Sequence, residues 1–374
     1  MRGVLSIIKL FGGIALCVLL LLISSCDVNK FNDSKISKSV IIDSFFVPFD
    51  SMEINSIDFI HQSSNRLYIC HPEISRVTMV DINTLEKKTI QLDSTIGKCY
   101  GLMMLCEASD NNLLIEVSGN VFLIDSTGKI LKTIIRSDWE TDPKCYMSHI
   151  FETALHFDKQ NGYMYIRAIY DTVFKDPLAI TQYPIEGKCN IADSQIQDLD
   201  IYYPNIYKRN YFGFLKNYSR TLVDSTLVYS FNADNYLYTY NIYTGQKENY
   251  KIDNPYRYRE VKPANIKKKS NSQYLYDHFS EEPRYHWLLY DHFSKNYYLT
   301  YFNEFKIENE DGTYNSLADR QIIILEIDSN FKTKRFIEPP QNHIKIFPLI
   351  FGTKGIIGRE HLPQGIKFYV FNSI

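Results

Sequence analysis

The chain has 374 residues, with 41 Lys and Arg against 43 Asp and Glu and no basic stripe, which excludes an electrostatic nucleic-acid surface. Its aromatic content is 14%, with 29 Tyr and 23 Phe; that composition suits strands and excludes a disordered chain. The length allows one large domain or two ordinary ones.

The first predicted element is a targeting segment. Arg2 and Lys9 supply a positive start, and Leu10–Ile23 is an uncharged apolar run. That run falls short of the ~20 residues a bilayer-spanning helix needs. Leu22-Ile23-Ser24-Ser25-Cys26 follows, an aliphatic residue, two small residues and Cys. It resembles the lipobox of bacterial lipoproteins, which implies cleavage after residue 25 and a lipid on Cys26. An ordinary secretory signal with an incidental Cys is the alternative. Acyl chains contribute about 0.8 kcal/mol per buried CH₂, so more than one is needed for stable anchoring. Residues 26–38, from the lipidated Cys onward, are polar and read as a flexible tether. The expected location is therefore the bacterial cell envelope, at the outer membrane, with the membrane itself as one partner. Loss of Arg2 and Lys9 with the leader leaves the rest mildly acidic.

Cys70, Cys99, Cys106, Cys145 and Cys189 remain after Cys17 and Cys26 are set aside, an odd number without a CxxC spacing. This predicts free thiols buried in strands rather than a disulfide framework or a metal finger.

Ser39–Val47 (SVIIDSFFV) reads as a strand with nothing local to pair with. From Asn65 to Leu92 the pattern is three short strands, Leu67–Cys70, Arg76–Asp81 and Lys87–Leu92, with tight breaks between them. The break after Val80-Asp81 is echoed at Ile124-Asp125, Tyr183–Lys188, Tyr240-Asn241 and Ile327-Asp328. Repeated units run Ile54–Leu92, Tyr100–Ile135, His149–Ile196, Ser219–Ile252 and Tyr285–Ile337, the last of these with an insertion at Asn309–Gly312. A final unit begins near Ile346. Repetition of a multi-strand unit at this length predicts an all-β fold, a β-propeller, over residues 39–374 as a single domain. Phe371-Asn372 stands where Val80-Asp81 and Ile124-Asp125 stand in their units, so the final unit lacks its fourth strand. Ser39–Val47 would complete it and close the ring, giving six blades. The interval from Asn241 to Asp328 is nearly twice the usual spacing and leaves seven as the alternative.

Lipobox, mature length and six irregular units together resemble an uncharacterised family of bacterial lipid-anchored six-bladed β-propeller proteins, a domain of unknown function. The run Tyr285–Tyr298 (YHWLLYDHFSKNYY) is similar to that family's strand, Tyr-Asp turn and Tyr-Tyr strand. The family commonly has a Gly-Pro-rich loop after its first blade, whereas Asp93–Tyr100 here keeps Gly97 and no Pro. The resemblance implies the fold and no chemistry.

Joints from the last strand of one unit to the first strand of the next share one face of a propeller. Three are long: Arg136–Met147, Leu199–Asn217 and Asp253–Arg284. Long loops are commonly functional, and these are rich in Tyr, Trp and Arg, the residue types that dominate binding hot spots. Trp139, Tyr207, Arg257, Tyr258 and Arg284 are the candidate ligand-binding residues. The competing reading is that these loops merely pack over the sheets. Lys267–Lys269 reads as solvated surface. Tyr276–Ser280 recurs verbatim as Tyr290–Ser294, and its second copy has the chemistry of a turn rather than of a metal site. No GxSxG, HExxH or glycine-rich phosphate loop is present, and no cofactor or metal is predicted. The expected function is non-enzymatic binding or scaffolding by a monomer, toward a glycan, a peptide or a partner protein. A glycan-active hydrolase or lyase on the same fold is the alternative.

Overall fold

The computed structural model describes residues 36–373 except 58, 64, 97–102, 110, 118, 136–143, 148–154, 171–175, 310, 317–318 and 340–344. β1 (Ser37–Pro48) precedes a first antiparallel sheet of β2 (Phe59–Ser63), β3 (Arg66–His71), β4 (Arg76–Asp81) and β5 (Lys87–Gln91), in that order. A second sheet holds β6 (Met103–Ser109), β7 (Asn112–Val117), β8 (Asn120–Asp125) and β9 (Ile130–Ile135). In the third, β10 (Lys144–Met147) and β11 (His156–Asp158) both pair with β12 (Tyr163–Tyr170), which is followed by β13 (Glu186–Asn190) and β14 (Ile196–Asp198). The fourth holds β15 (Tyr218–Val223), β16 (Thr226–Phe231), β17 (Tyr236–Asn241) and β18 (Lys247–Lys251). An eight-stranded sheet completes the fold. It runs β19 (Arg284–Asp291), β20 (Asn296–Phe302), β21 (Ile322–Ile327) and β22 (Thr333–Glu338), then β1, then β25 (Gly365–Ser373), β24 (Gly355–Leu362) and β23 (Lys345–Gly352). The arrangement is all-β and propeller-like.

The repeated break has one physical cause. A short acceptor side chain at the end of the third strand folds back onto the next backbone N–H groups and fixes the turn into the fourth. Asp81 Oδ1 accepts from the amides of Asn83 and Thr84 at 2.8 and 3.0 Å. Asp125, Asn241 and Asp328 do the same in their own sheets. In the third sheet the structure moves this marker. Tyr183–Lys188 leads into β13 and forms its start, while the equivalent turn begins at Asn190, whose Oδ1 accepts from Ala192 at 2.8 Å.

β1 pairs antiparallel with β25 from Ser39↔Ser373 to Pro48↔Gly365, as expected for a strand that completes the last unit. It begins two residues earlier than Ser39, and Ser37 and Lys38 pair in parallel with Ile337 and Glu338 of β22. That short bridge joins two four-stranded runs into one sheet. The interval after β18 carries the helix Ser272–Glu281 before β19 begins, and β19–β22 belong to one run, so residues 241–328 supply no additional sheet among the described residues.

The core lies between sheets rather than inside any one of them. Tyr68, Val77 and Ile90 of the first sheet pack with Leu105, Ile115 and Ile124 of the second. Met104, Leu114 and Val121 meet Met164, Ile166 and Cys189 of the third. Tyr165 meets Leu227, Tyr229 and Phe231 of the fourth. Leu237 meets Leu288, Leu299 and Leu325. Ile324 and Ile337 meet Leu349, Phe351 and Phe371. Val47, Ile350, Ile357 and Phe368 meet Ile60, Leu67 and Val80 of the first sheet. Cys70 and Cys189 sit buried in these layers, neither of them in a disulfide.

Candidate functional site

Six strands, one from each of the five four-stranded runs and one from the five-stranded third sheet, contribute to the wall of one cavity of about 370 Å³. β2 supplies His61 and Ser63, β6 supplies Cys106 and Glu107, and β11 supplies His156 and Phe157. β15 supplies Thr221 and Leu222, β19 supplies Trp287 and Leu289, and β23 supplies Leu349 and Phe351. Most of these residues come from the C-terminal half of their strand, next to the hairpin into the second strand. The turn after β19 adds Asp291, His292 and Phe293. The joints between sheets feed the opposite, N-terminal ends of the same strands. Topology therefore sets the cavity at the hairpin end, away from the long joints.

Both carboxylates of the cavity wall are engaged. Glu107 accepts from Tyr68 Oη at 2.5 Å, and Arg66 Nη1 and Lys159 Nζ approach its two oxygens at 3.4 Å each. Burial raises its pKa, but the hydrogen bonds from Tyr68 and Ser63 and the charge of Lys159 outweigh it and hold the carboxyl below its usual range. Asp291 is spent on its turn, where Oδ1 accepts from the Phe293 amide at 2.9 Å and Oδ2 from the Ser294 amide at 3.2 Å.

His156 Nε2 lies 3.3 Å from the Arg220 carbonyl. A carbonyl can only accept, so Nε2 carries the proton and Nδ1 is left as an acceptor. Burial, then the nearby Arg220 charge, lowers this imidazole to about 3, and it is neutral at neutral pH. The surface it keeps is cavity surface. Burial pushes the Cys106 thiol up to about 12, which denies it thiolate character. Trp287 stacks on His286 with ring centroids 4.0 Å apart. The cavity thus offers apolar and aromatic walls, the neutral His156 imidazole, and the Glu107 carboxylate already bonded to its neighbours.

Of the sequence candidates, Trp139 lies outside the described residues, as does Cys26. Tyr207 is 2% exposed; its hydroxyl donates to the Leu215 carbonyl at 3.1 Å and accepts from the Ala233 amide at 3.2 Å. Arg284 is 6% exposed, and its guanidinium lies 3.9 Å over the Phe279 ring, holding the helix Ser272–Glu281 against β19. The Arg257 side chain is buried, donates to the Ala233 carbonyl at 3.1 Å and pairs with Glu260 at 2.7 Å. Tyr258 is the exposed one, at 66%. The structure brings Tyr207 and Arg257 together around Ala233 and sets Tyr258 apart at the surface. The residues that sequence reasoning passed over are His61, Glu107, His156, Lys159 and Trp287. Their one local signal is alternation, since Trp287 and Leu289 fall two apart along β19 and share a face. Among the described residues, no three His, Cys, Asp or Glu side chains are grouped to hold a metal ion.

Residues 34–332 match the family model of a domain of unknown function, DUF4221. The crystal structure of a member of that family from Bacteroides vulgatus aligns over 91% of this chain and 99% of its own, at 16% identity and a TM-score of 0.69. Streptogramin B lyase aligns over 88% of this chain and 98% of its own, at 12% identity and a TM-score of 0.44. Regucalcin, a calcium-binding protein from Agrobacterium tumefaciens, aligns over 87% and 93%, at 12% identity and a TM-score of 0.42. No curated protein matches the chain.

Proposed function

The chain belongs to the DUF4221 family, and on that premise we propose its role: a lipid-anchored, six-bladed binding protein of the bacterial envelope. It holds a compact ligand, a glycan or peptide fragment, in the central cavity. The observation that carries the reading is the convergence of six strands, one from each run, on one cavity of about 370 Å³, within the ~300–1,000 Å³ range of small-molecule sites. Six blades are supported by the six apolar layers, which link each run of strands to the next and the last to the first. Anchoring rests on the lipobox at Cys26, with residues 1–25 as leader and 26–38 as tether.

Binding is favoured over hydrolysis or lysis by the state of four reactive groups of the cavity wall. Acid–base catalysis needs a carboxyl or imidazole free to exchange a proton near the working pH. Glu107 and Asp291 are committed to neighbours, His156 is held neutral, and Cys106 is held as a thiol.

Tryptophan emission tests the site directly, because the chain has only two Trp. In a Trp139→Phe background, Trp287 alone reports, and it lines the cavity. Titration with oligosaccharide and peptide libraries should shift that emission, and Glu107→Gln or His156→Ala should weaken the response. A ligand whose binding is lost with Tyr258→Ala and is indifferent to Glu107→Gln and His156→Ala would move the site to the long-joint face and overturn the cavity reading.

A further inference from the structure

Each run of strands ends in an outermost strand, and most of these carry charge along the edge. Lys88 stands in β5, Lys132 in β9, Asp198 in β14, Lys251 in β18 and Lys334 in β22. Charged edges resist pairing with other chains and burial in apolar surroundings. β1, the outermost strand of the last run, is different. From Ser39 to Pro48 its one charged residue is Asp43, and Lys354 Nζ pairs with that carboxylate at 2.7 Å. Its apolar side chains stand in solvent: Val40 is 40% exposed, Ile41 and Ile42 are each 49% exposed, and Phe46 is 39% exposed.

Register accounts for this exposure. Phe45 and Val47 stand opposite Phe368 and Ile366 and face the layer shared with the first sheet. Ile41 and Phe46 stand opposite Phe371 and Lys367, on the other face of the same pair of strands. The bulge between Ile41 and Asp43 leaves Ile42 with no partner on β25. Among the described residues, only Ser37 and Lys38 of β1 pair with β22, so the edge from Ser39 onward has no second strand.

Two observations decide what covers this edge. The first is the chain that precedes it, 11 residues from Cys26 to Ser37. Fully extended, that length spans at most ~40 Å, whereas a domain of this size is on the order of 50 Å wide. A lipid on Cys26 therefore keeps β1 within reach of the bilayer and closer to it than the far side of the domain. The second is the bulge. A strand of another chain adds to a regular edge, and the extra residue breaks that regularity. Lipid needs no register. It takes apolar side chains flanked by long cations whose stems lie along them, and Lys354 and Lys367 flank this strand.

We propose that β1 rests against the bilayer that holds the Cys26 lipid, with Ile41, Ile42 and Phe46 at the headgroup boundary. The proposal depends on the lipobox reading of Cys26. An acyl anchor and an apolar strand together fix the orientation of the domain, which a single tether leaves free.

The test places the mature protein, with its lipid, in vesicles of phosphatidylethanolamine and phosphatidylglycerol whose acyl chains are brominated, so that they quench Trp emission on contact. The background is Trp139→Phe with Trp287→Phe, which removes both native Trp. Ile42→Trp and Phe46→Trp report from β1, and Leu131→Trp, on β9 and 51% exposed, is the control. A reporter is read only if its melting curve matches that of the background, and either β1 reporter suffices. Quenching at β1 should be several-fold stronger than at Leu131→Trp. Equal quenching overturns the proposal, and an acyl chain on Cys26 in the intact mass then leaves the anchor reading standing. A chain without that acyl mass refutes the lipobox and the proposal with it. An unquenched β1 reporter in a protein that sediments as a dimer would assign the edge to a second copy, which also overturns the proposal.

Discussion

The side-chain amide of Gln62 donates from Nε2 to the Phe351 carbonyl at 2.5 Å and accepts at Oε1 from the Phe351 N–H at 2.7 Å. These residues stand next to last in β2 and β23, strands of the first and last four-stranded runs. One side chain thus replaces a rung of backbone ladder across the seam where the chain's two ends meet.

Gln62→Leu should open that seam. It leaves a carbonyl and an amide of Phe351 without their partner, at a cost of about 1–3 kcal/mol. The expected result is a lower melting temperature and faster hydrogen exchange at the Phe351 amide, with little change at Val228 on the far side. Equal exchange at both sites would deny the seam its special standing.

Removal of β1 should be far more damaging. The strand carries a long ladder with β25, interrupted by a bulge between Ile41 and Asp43, buries Val47, and stacks Phe45 on Phe368 at 4.9 Å. Each lost hydrogen bond contributes about 0.5–1.5 kcal/mol net, and a domain has about 5–15 kcal/mol in all. Deletion of Ser37–Pro48 is therefore expected to abolish cooperative thermal unfolding as seen by circular dichroism. An unchanged melting curve would contradict the pairing.

Cys26→Ser should abolish lipidation and yield an uncleaved precursor or a soluble product. Metabolic labelling with a palmitate analogue checks this, and a labelled Cys26→Ser protein would refute the lipobox.

His156 should make the fold acid-sensitive. Its folded pKa of about 3 lies below the ~6.5 of a free imidazole, so between those values the unfolded chain holds the extra proton. Stability should be full above that window and fall as pH drops through it, by about 1.4 kcal/mol per unit from this group. Burial also lowers His71 and His286, which adds to the slope. Urea unfolding at stepped pH should show a shallower decline for His156→Gln than for the parent, and equal slopes would remove His156 from the account.

Arg220 and Glu186 form an ion pair with both side chains fully buried, and Tyr218 Oη donates to the same carboxylate at 2.7 Å. Arg220→Met strands a buried charge and should cost about 3–5 kcal/mol. The double variant Arg220→Met with Glu186→Gln should recover part of that loss in chemical denaturation. A double variant no more stable than Arg220→Met alone would show that charge burial is not the dominant cost.

What could be read ahead of the structure was what depends on near neighbours. Asp81, Asp125, Asn241 and Asp328 announce their turns because an acceptor side chain and the amides two to four residues on suffice to make one. β1 could be matched to the last unit because that unit visibly lacked a strand. The marker in the third sheet was misplaced because Tyr183–Lys188 imitates the pattern without an Asx side chain at the capping position.

The duplicated pentapeptide shows where local reading ends. Tyr276–Ser280 lies inside the helix Ser272–Glu281, which is capped by Asn271. Tyr290-Asp291 closes β19, and His292–Ser294 form its turn. Five identical residues take two conformations because the cap in one case and the β20 partner in the other decide the outcome. The cavity was illegible for a related reason. Its walls are drawn from Ile60 to Phe351, and alternation tells which face a residue takes but not which distant residues it meets. Composition likewise marked Tyr207 and Arg284 without distinguishing an aromatic or Arg that holds a joint in place from one that greets a ligand.

The pairing of β1 with β25 also sets an order of events. The first strand of the domain has its main partner in the last one made, from Gly365 to Ser373. Closing so long a loop costs conformational entropy, and the pairing cannot form before the last strand has been made. A chain ending before Gly365 would have no berth for β1 and would leave Val47 in water.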